Sequence, residues 1–263
     1  MYRFLLTRQW VILTLLSLVL IPVMIRLGLW QLHRHESRVA QNDLVASALD
    51  AKPVPAESLT SPGHEVTRDQ RYHRVTAHGT FDTDHEVVVR RRTNDAEEIG
   101  FHVVTPFDLD DGRVLLVNRG WIPANGAQTA FPRIPAPPAG ETTVTGRLMP
   151  DETTAASGIK NVRGLPPRQI MLISSGQQAR SLGKQVLGGF VELTSPAPKD
   201  DTPQLISAPD HTGIGPHMAY TVQWWLFAAG VPVGYVILVR REARERRAAA
   251  AEQPRPEREP ATV

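Results

Sequence analysis

The chain carries nine histidines and no cysteine, so metal or nucleophilic chemistry must come from imidazole, carboxylate or hydroxyl groups. The missing thiols exclude disulfides, CxxC redox pairs, c-type haem attachment and thiolate zinc or copper sites. One histidine is distinguished by position. His217 stands just ahead of an uncharged run in GPHMAYTVQWWLFAAGVPVGYVILVRR. Neutral imidazole is the usual axial ligand of haem iron, and Tyr220, Trp224 and Trp225 beside it suit a flat apolar cofactor. The competing reading is an interfacial histidine that caps or hydrogen-bonds near a helix start.

A second candidate is NRGWIP, Asn118 to Pro123. Arg119 has the chemistry to pair a carboxylate, a haem propionate being one example, and Trp121 to stack on a ligand. The alternative is a strand-end turn, with Gly120 required by the backbone and Trp121 packed beneath. His33 and His35 are two apart and do not share a helical face; they read as solvated residues. His64, His73, His78, His85, His102 and His211 form no pattern. Asp110–Asp111 and Asp200–Asp201 lie among turn residues, and paired carboxylates do acid–base work only where their surroundings split their pKa values. There is no Walker loop, GxGxxG, GxSxG or HExxH. The chain is therefore not expected to be an enzyme.

The elements that must position these residues begin with two apolar runs. Trp10 to Trp30 is about long enough to cross a hydrocarbon core of roughly 30 Å. Its tryptophans bracket it as interfacial anchors, and Arg26 is near enough to its end to snorkel. No small-x-small cleavage site follows, so it reads as an anchor rather than a signal peptide. Tyr220 to Val239 is the second run, uncharged and followed at once by Arg240 and Arg241. Residues 1–32 carry a net charge of +3, residues 33–216 of −3 and residues 240–263 of +2. Basic residues thus flank both spans on one side, and the positive-inside rule puts both termini in the cytoplasm. A nucleic-acid binder would gather its basic residues on one folded face; this distribution argues against one. The expected organisation is a cytoplasmic N-terminus (1–9), a first transmembrane helix (10–30), an extracytoplasmic domain with a juxtamembrane helix (31–219), a second transmembrane helix (220–239) and a basic, disordered cytoplasmic tail (240–263).

Between the spans, QLHRHESRVAQNDLVASALDA reads as helix leaving the membrane. Short runs rich in Val, Thr and aromatics follow: RYHRVTAHGTF, HEVVVRRR, FHVVTPFDL, VLLVNRGWI, TTVTGRLM and FVELT. DDG at 110–112 predicts a hairpin turn. SSGQQARSLGKQV predicts a short helix capped by Ser174 or Ser175. The fold class expected is an α+β membrane protein, two transmembrane helices flanking an antiparallel β-rich domain, barrel- or sandwich-like.

Taken in order, these motifs resemble the surfeit-locus (Shy-type) cytochrome c oxidase assembly factors, here a bacterial member. LGLWQLHR (27–34) is similar to the family's LGxWQxxR at the end of the first span. GTF (79–81), GFHVVTPF (100–107) and LVNRGWIP (116–123) are similar to its central strands, and GPHMAYTVQWW (215–225) to its HxxYxxQW motif. The segment 151–169 matches only loosely. The resemblance implies a non-enzymatic factor in the bacterial plasma membrane, assisting haem a insertion into the catalytic subunit of a haem–copper oxidase. The haem a synthesis machinery is a further implied partner. It also implies that His217 is a haem a ligand, with the iron as the only metal. The competing function is a membrane-anchored interaction module of a respiratory complex that never touches haem.

Overall fold

The computed structural model describes residues 3–125, 129–162 and 164–251. It forms two compact units: Met1–Gln41 with Thr212–Val263, and Asn42–His211.

The first unit is built on two long helices, α1 (Arg8–Asp50) and α4 (His217–Ala251). At about 1.5 Å per residue the 43 residues of α1 reach well past a hydrocarbon core of about 30 Å. Both helices are long and apolar enough to cross a membrane, and only 6% of the most apolar stretch of each is buried. That exposure separates them from the core helices of a water-soluble protein, which hide such faces. Pro22 and Pro232 lie inside them without ending them, as membrane helices tolerate. Contacts recur between the two in antiparallel order. Trp10 meets Tyr235 edge-on at 6.0 Å, and the Thr14 and Tyr235 hydroxyls hydrogen-bond at 2.6 Å. Gly28 faces the Trp225 indole, Gln31 meets His217, and Arg38 donates to the Gly213 carbonyl. Residues 240–251 continue α4; the remainder of the expected disordered tail, 252–263, lies outside the described residues.

The second unit is the β domain. Its strands are β1 (Val54–Pro55), β2 (Arg74–Phe81), β3 (Val87–Thr93), β4 (Ile99–Leu109), β5 (Val114–Pro123), β6 (Thr142–Met149), β7 (Gln169–Ile170) and β8 (Phe190–Ser195). The sheet order β1-β2-β6-β8-β5-β4-β3-β7 gains a further pairing of β2 with β4. That pairing closes β2, β6, β8, β5 and β4 into a five-stranded barrel. It is possible because β4 is long: its first half pairs with β3 and its last residues, Phe107 to Leu109, with Phe81 to Gly79 of β2. Closure leaves no free edge on those five strands, the usual answer of small β domains to exposed backbone donors and acceptors.

One ladder of the ring departs from the antiparallel expectation. β5 and β8 run parallel, and parallel neighbours need a crossover connection. Here the crossover contains β6, the short helix α2 (Thr154–Ser157), β7 and helix α3 (Ser175–Leu182). Ser174 caps α3 by accepting from the Gln177 amide, and Gly183 ends it in the left-handed conformation, as the cap signals predict. The segment 151–169 holds α2 and leads into β7.

The barrel is filled, not hollow. Val75, Ala77, Phe107, Leu115, Val117, Val144, Leu148, Val191 and Leu193 belong to one buried cluster. A second cluster, with Val89, Val104, Val114, Leu116, Ile173 and Phe190, packs α3 against the wall. β5 contributes to both, which explains the unbroken apolar run VLLV where a one-sided strand would alternate.

Candidate functional site

The turn ahead of α4 is made by Gly215, held at φ +67, where a side chain would be strained. Pro216 follows, and its carbonyl accepts the first helical hydrogen bond, from the Tyr220 amide at 3.1 Å. His217 is therefore the first residue of the helix. The Thr221 hydroxyl donates back to the His217 carbonyl at 3.0 Å. Thr221 and Ala228 are buried, at 1% and 8% exposure, so the stripe containing His217 is the seam turned toward α1. Tyr220 and Trp224, three and seven residues on, flank the same stripe.

Across the seam stands Gln31 of α1. The His217 ring, half-buried, bonds through Nδ1 to the Gln31 side-chain oxygen at 3.0 Å. Nε2 has no hydrogen-bond partner among the described residues. Its open edge lies beside Gly215, where a Cβ would stand 3.4 Å from both Cδ2 and Nε2. The same end of the helix pair carries large exposed aromatics: Trp30 of α1 is 54% exposed, Tyr220 45% and Trp225 41%. One available imidazole nitrogen on a helix end that also carries exposed aromatic rings can ligate a metal or flat metallocycle from one side.

Arg119 and Trp121, the other expected ligand contacts, belong to the other unit. NRGWIP is not a turn: β5 runs through it to Pro123, with the irregularity in its pairing to β4 falling at Arg119. Arg119 is 3% exposed. It donates to Glu86 at 2.7 Å and to the Pro135 carbonyl at 2.6 Å, so its carboxylate partner is the chain's own. Burial lowers the guanidinium's pKa, with Glu86 opposing the shift. Trp121 is 6% exposed, and its indole N–H donates to the Arg92 carbonyl at 3.2 Å. A Cβ on Gly100 would fall 2.5 Å from that ring. The glycine of the motif also matters: Gly120 has φ +130, and a Cβ there would lie 2.3 Å from the Gln204 carbonyl oxygen. The backbone of residue 204 pairs with Trp121 in both directions, at 2.7 and 2.8 Å.

Two residues without a motif of their own acquire a role here. Gln31 sits inside LGLWQLHR, but nothing in the sequence signals a contact 186 residues away. His102 is opposite Trp121 in the β4–β5 ladder and meets Asn118 at 3.3 Å. Burial first, then the charge of Arg92, pulls its pKa down to about 3. The side chain is a neutral packing group at ordinary pH. His33 and His35 lie on α1. Asp110 and Asp111 lie in the turn after β4 and engage His78 and Arg113, which fits solvated turn residues. Among the described residues, no three His, Asp or Glu side chains gather as a metal site.

The pattern of the SURF1 family matches residues 18–229. The chain belongs to the SURF1 family. Within that match fall both Gln31 and His217, and with them all five strands of the barrel. An uncharacterized SURF1-like protein of Mycobacterium tuberculosis is 32% identical over 236 residues, 89% of this chain and 84% of the relative. A SURF1-like protein of Rickettsia conorii is 26% identical over 247 residues, 86% of this chain and 90% of the relative. The Surfeit locus protein 1 of Xenopus tropicalis is 32% identical over 122 residues, 40% of this chain and 38% of that protein.

Proposed function

We propose that this SURF1-family protein is an assembly factor for a haem–copper cytochrome c oxidase. It holds haem a through His217 and passes it to the catalytic subunit. The observation carrying this reading is the Nε2 of His217, which has no hydrogen-bond partner among the described residues and stands at the end of an apolar helix whose first turns carry exposed aromatics. The nitrogen is accessible rather than buried, so a ligand can reach it. Haem a is apolar, poorly soluble and reactive, and its target lies within a membrane. A donor therefore needs a site at membrane depth that faces another membrane protein.

The residues fit the cargo on one side. The imidazole of His217 would ligate the iron, while Tyr220, Trp224, Trp225 and Trp30 would lie against the macrocycle. One protein ligand in an open setting suits release better than a closed site. Arg119, buried against Glu86, does not fit as a propionate partner. In this proposal the helices span a bacterial plasma membrane with both termini cytoplasmic, as Arg3, Arg8 and the arginines after Val239 favour. The protein catalyses no reaction of its own, and the haem a synthesis machinery is the partner from which the cargo comes.

The test is a reduced-minus-oxidised spectrum of membranes from a strain lacking the gene, beside the parent and a complemented strain. The proposal expects the haem a signal to fall while b- and c-type signals persist, and complementation to restore it. Unchanged spectra while the oxidase is made would sink it. Should haem a fall but the chain carrying His217→Ala restore it fully, the haem-free interaction module takes its place.

A further inference from the structure

We infer that Gln31 is the positioning residue of His217: it fixes the ring's tautomer and aim so that Nε2, not Nδ1, is presented to a ligand. The inference rests on the haem reading for its purpose, but not for its test. Three observations carry it. First, Nδ1 of His217 lies 3.0 Å from the Gln31 carbonyl oxygen, so Nδ1 carries the proton and donates. In the neutral ring the lone pair is then on Nε2. Second, the contact joins two helices across a seam, Gln31 on α1 and His217 at the start of α4. A ring without a partner would turn about its side-chain torsions; this one is held by the neighbouring helix. Third, the edge left open is the one beside Gly215, where a larger residue would cover Cδ2 and Nε2.

The arrangement follows a general rule of metal sites. A ligating histidine nearly always donates its second ring N–H to a carbonyl or carboxylate, and loss of that partner typically lowers metal affinity by about 10–100-fold. An amide carbonyl supplies the acceptor without adding a charge at the membrane surface. That keeps the imidazole a weaker donor than a carboxylate partner would make it, in keeping with a site that must release its cargo.

The test uses the full-length chain in lipid nanodiscs with 15N-labelled histidine. The His217 signals are those lost in His217→Asn. In the parent, without any haem, the expected result is a protonated Nδ1 and an unprotonated Nε2. Gln31→Leu should shift the ring toward the Nε2–H form that a free histidine side chain prefers, while the other eight histidines keep their signals and so report an intact fold. Gln31→Glu, which retains an acceptor, should restore the parent pattern. With hemin as the probe, Gln31→Leu should bind about 10–100-fold more weakly than the parent, and Gln31→Glu at least as tightly. A parent ring in the Nε2–H form, or one indifferent to Gln31→Leu, overturns the inference whatever hemin does. A parent ring in the expected form with no hemin binding leaves Gln31 as the positioning residue and overturns the haem reading alone.

Discussion

The barrel and the helix pair treat their polar groups in opposite ways. In the barrel, buried or half-buried arginines meet the chain's own carboxylates. Arg119 pairs with Glu86, Arg147 with Glu192 at 3.1 Å, and Arg92 with Glu152 at 2.5 Å. Arg147 also donates to the Ile206 and Ser207 carbonyls, tying the last loop to the wall. Burial pushes the Glu192 carboxyl up, while Arg147 pulls it down. In the helix pair the ion pairs, Arg241 with Glu245 and Arg246 with Glu242, lie on exposed helix surface, and His217 keeps one ring nitrogen open. A buried pair removed from water is weak support for stability, but breaking it is costly; an open nitrogen has little structural value. The difference gives the first region's polar groups a part in holding the fold, and leaves the proposed ligand chemistry to the second.

The largest effect expected from that contrast is at Glu86. Its carboxylate accepts from both Arg119 and Thr105, so Glu86→Ala leaves a buried guanidinium unpaired and should destabilise the barrel by about 3–5 kcal/mol. His217→Ala removes one half-buried hydrogen bond and should change unfolding by about 1 kcal/mol or less, while abolishing hemin binding. Denaturant unfolding of the two variants side by side checks this. Similar destabilisation by both would break the comparison.

The glycines give a second contrast. A Cβ on Gly146 in β6 would lie 2.3 Å from the Glu192 carbonyl oxygen, a backbone atom that cannot step aside. A Cβ on Gly28 in α1 would lie 2.3 Å from the Trp225 indole nitrogen, on a side chain 41% exposed. Gly146→Ala should therefore cost about 1–3 kcal/mol through forced backbone shifts. Gly28→Ala should displace Trp225 with a smaller loss, visible as a red shift of tryptophan emission. Equal losses from the two would show that the helix seam is as rigid as the barrel.

His102 adds a dependence on pH that belongs to the barrel alone. Its folded pKa, about 3, lies below the unfolded value of roughly 6.5. The unfolded chain therefore takes up a proton as pH falls through 6.5 and the folded chain does not. The stability contribution is complete above that value and declines below it, by at most about 1.4 kcal/mol per pH unit down to about pH 3. Between pH 6.5 and 5, before most carboxylates titrate, His102→Gln should flatten the profile of unfolding free energy. An unaltered slope would mean that water reaches the ring in the folded chain.

Legibility in the sequence follows the range of the interactions. Strands β2 to β6 and β8 were readable because β-branched runs and the Asp111–Gly112 turn are local signals, and Ser174 announces α3 in the same way. The spans were readable because hydrocarbon thickness imposes a length. The barrel's closure was not, since it depends on Gly79, Thr80 and Phe81 meeting the far end of β4. The parallel β5–β8 ladder was hidden for the same reason. At the site, His217 could be singled out by its place before an apolar run, but Gln31 could not, because its meaning comes from the other helix. Arg119 had the right chemistry for a ligand and found an internal partner instead; residue type alone does not say which carboxylate an arginine will meet.

The smallest effect expected concerns the hydrogen bond between Thr14 and Tyr235. The Thr14 hydroxyl also contacts the Trp10 carbonyl at 2.8 Å, as donor. Its proton is thus committed, and the Tyr235 hydroxyl must donate to it across the 2.6 Å contact. Tyr235→Phe then removes a donor and leaves no group stranded, because Thr14 still bonds to Trp10. The loss should be about 0.6 kcal/mol, the usual size of such a bond between membrane helices. Thr14→Val should cost more, since it strands the tyrosine hydroxyl while the ring stays held edge-on by Trp10. Thermal unfolding of both variants in the same lipid tests this order. The reverse order would assign the proton between them to Thr14 and place the tyrosine oxygen as acceptor. Hemin binding should be unaffected by either change, which separates the part of the helix seam that joins the helices from the end at Gln31 and His217 that is proposed to hold a ligand.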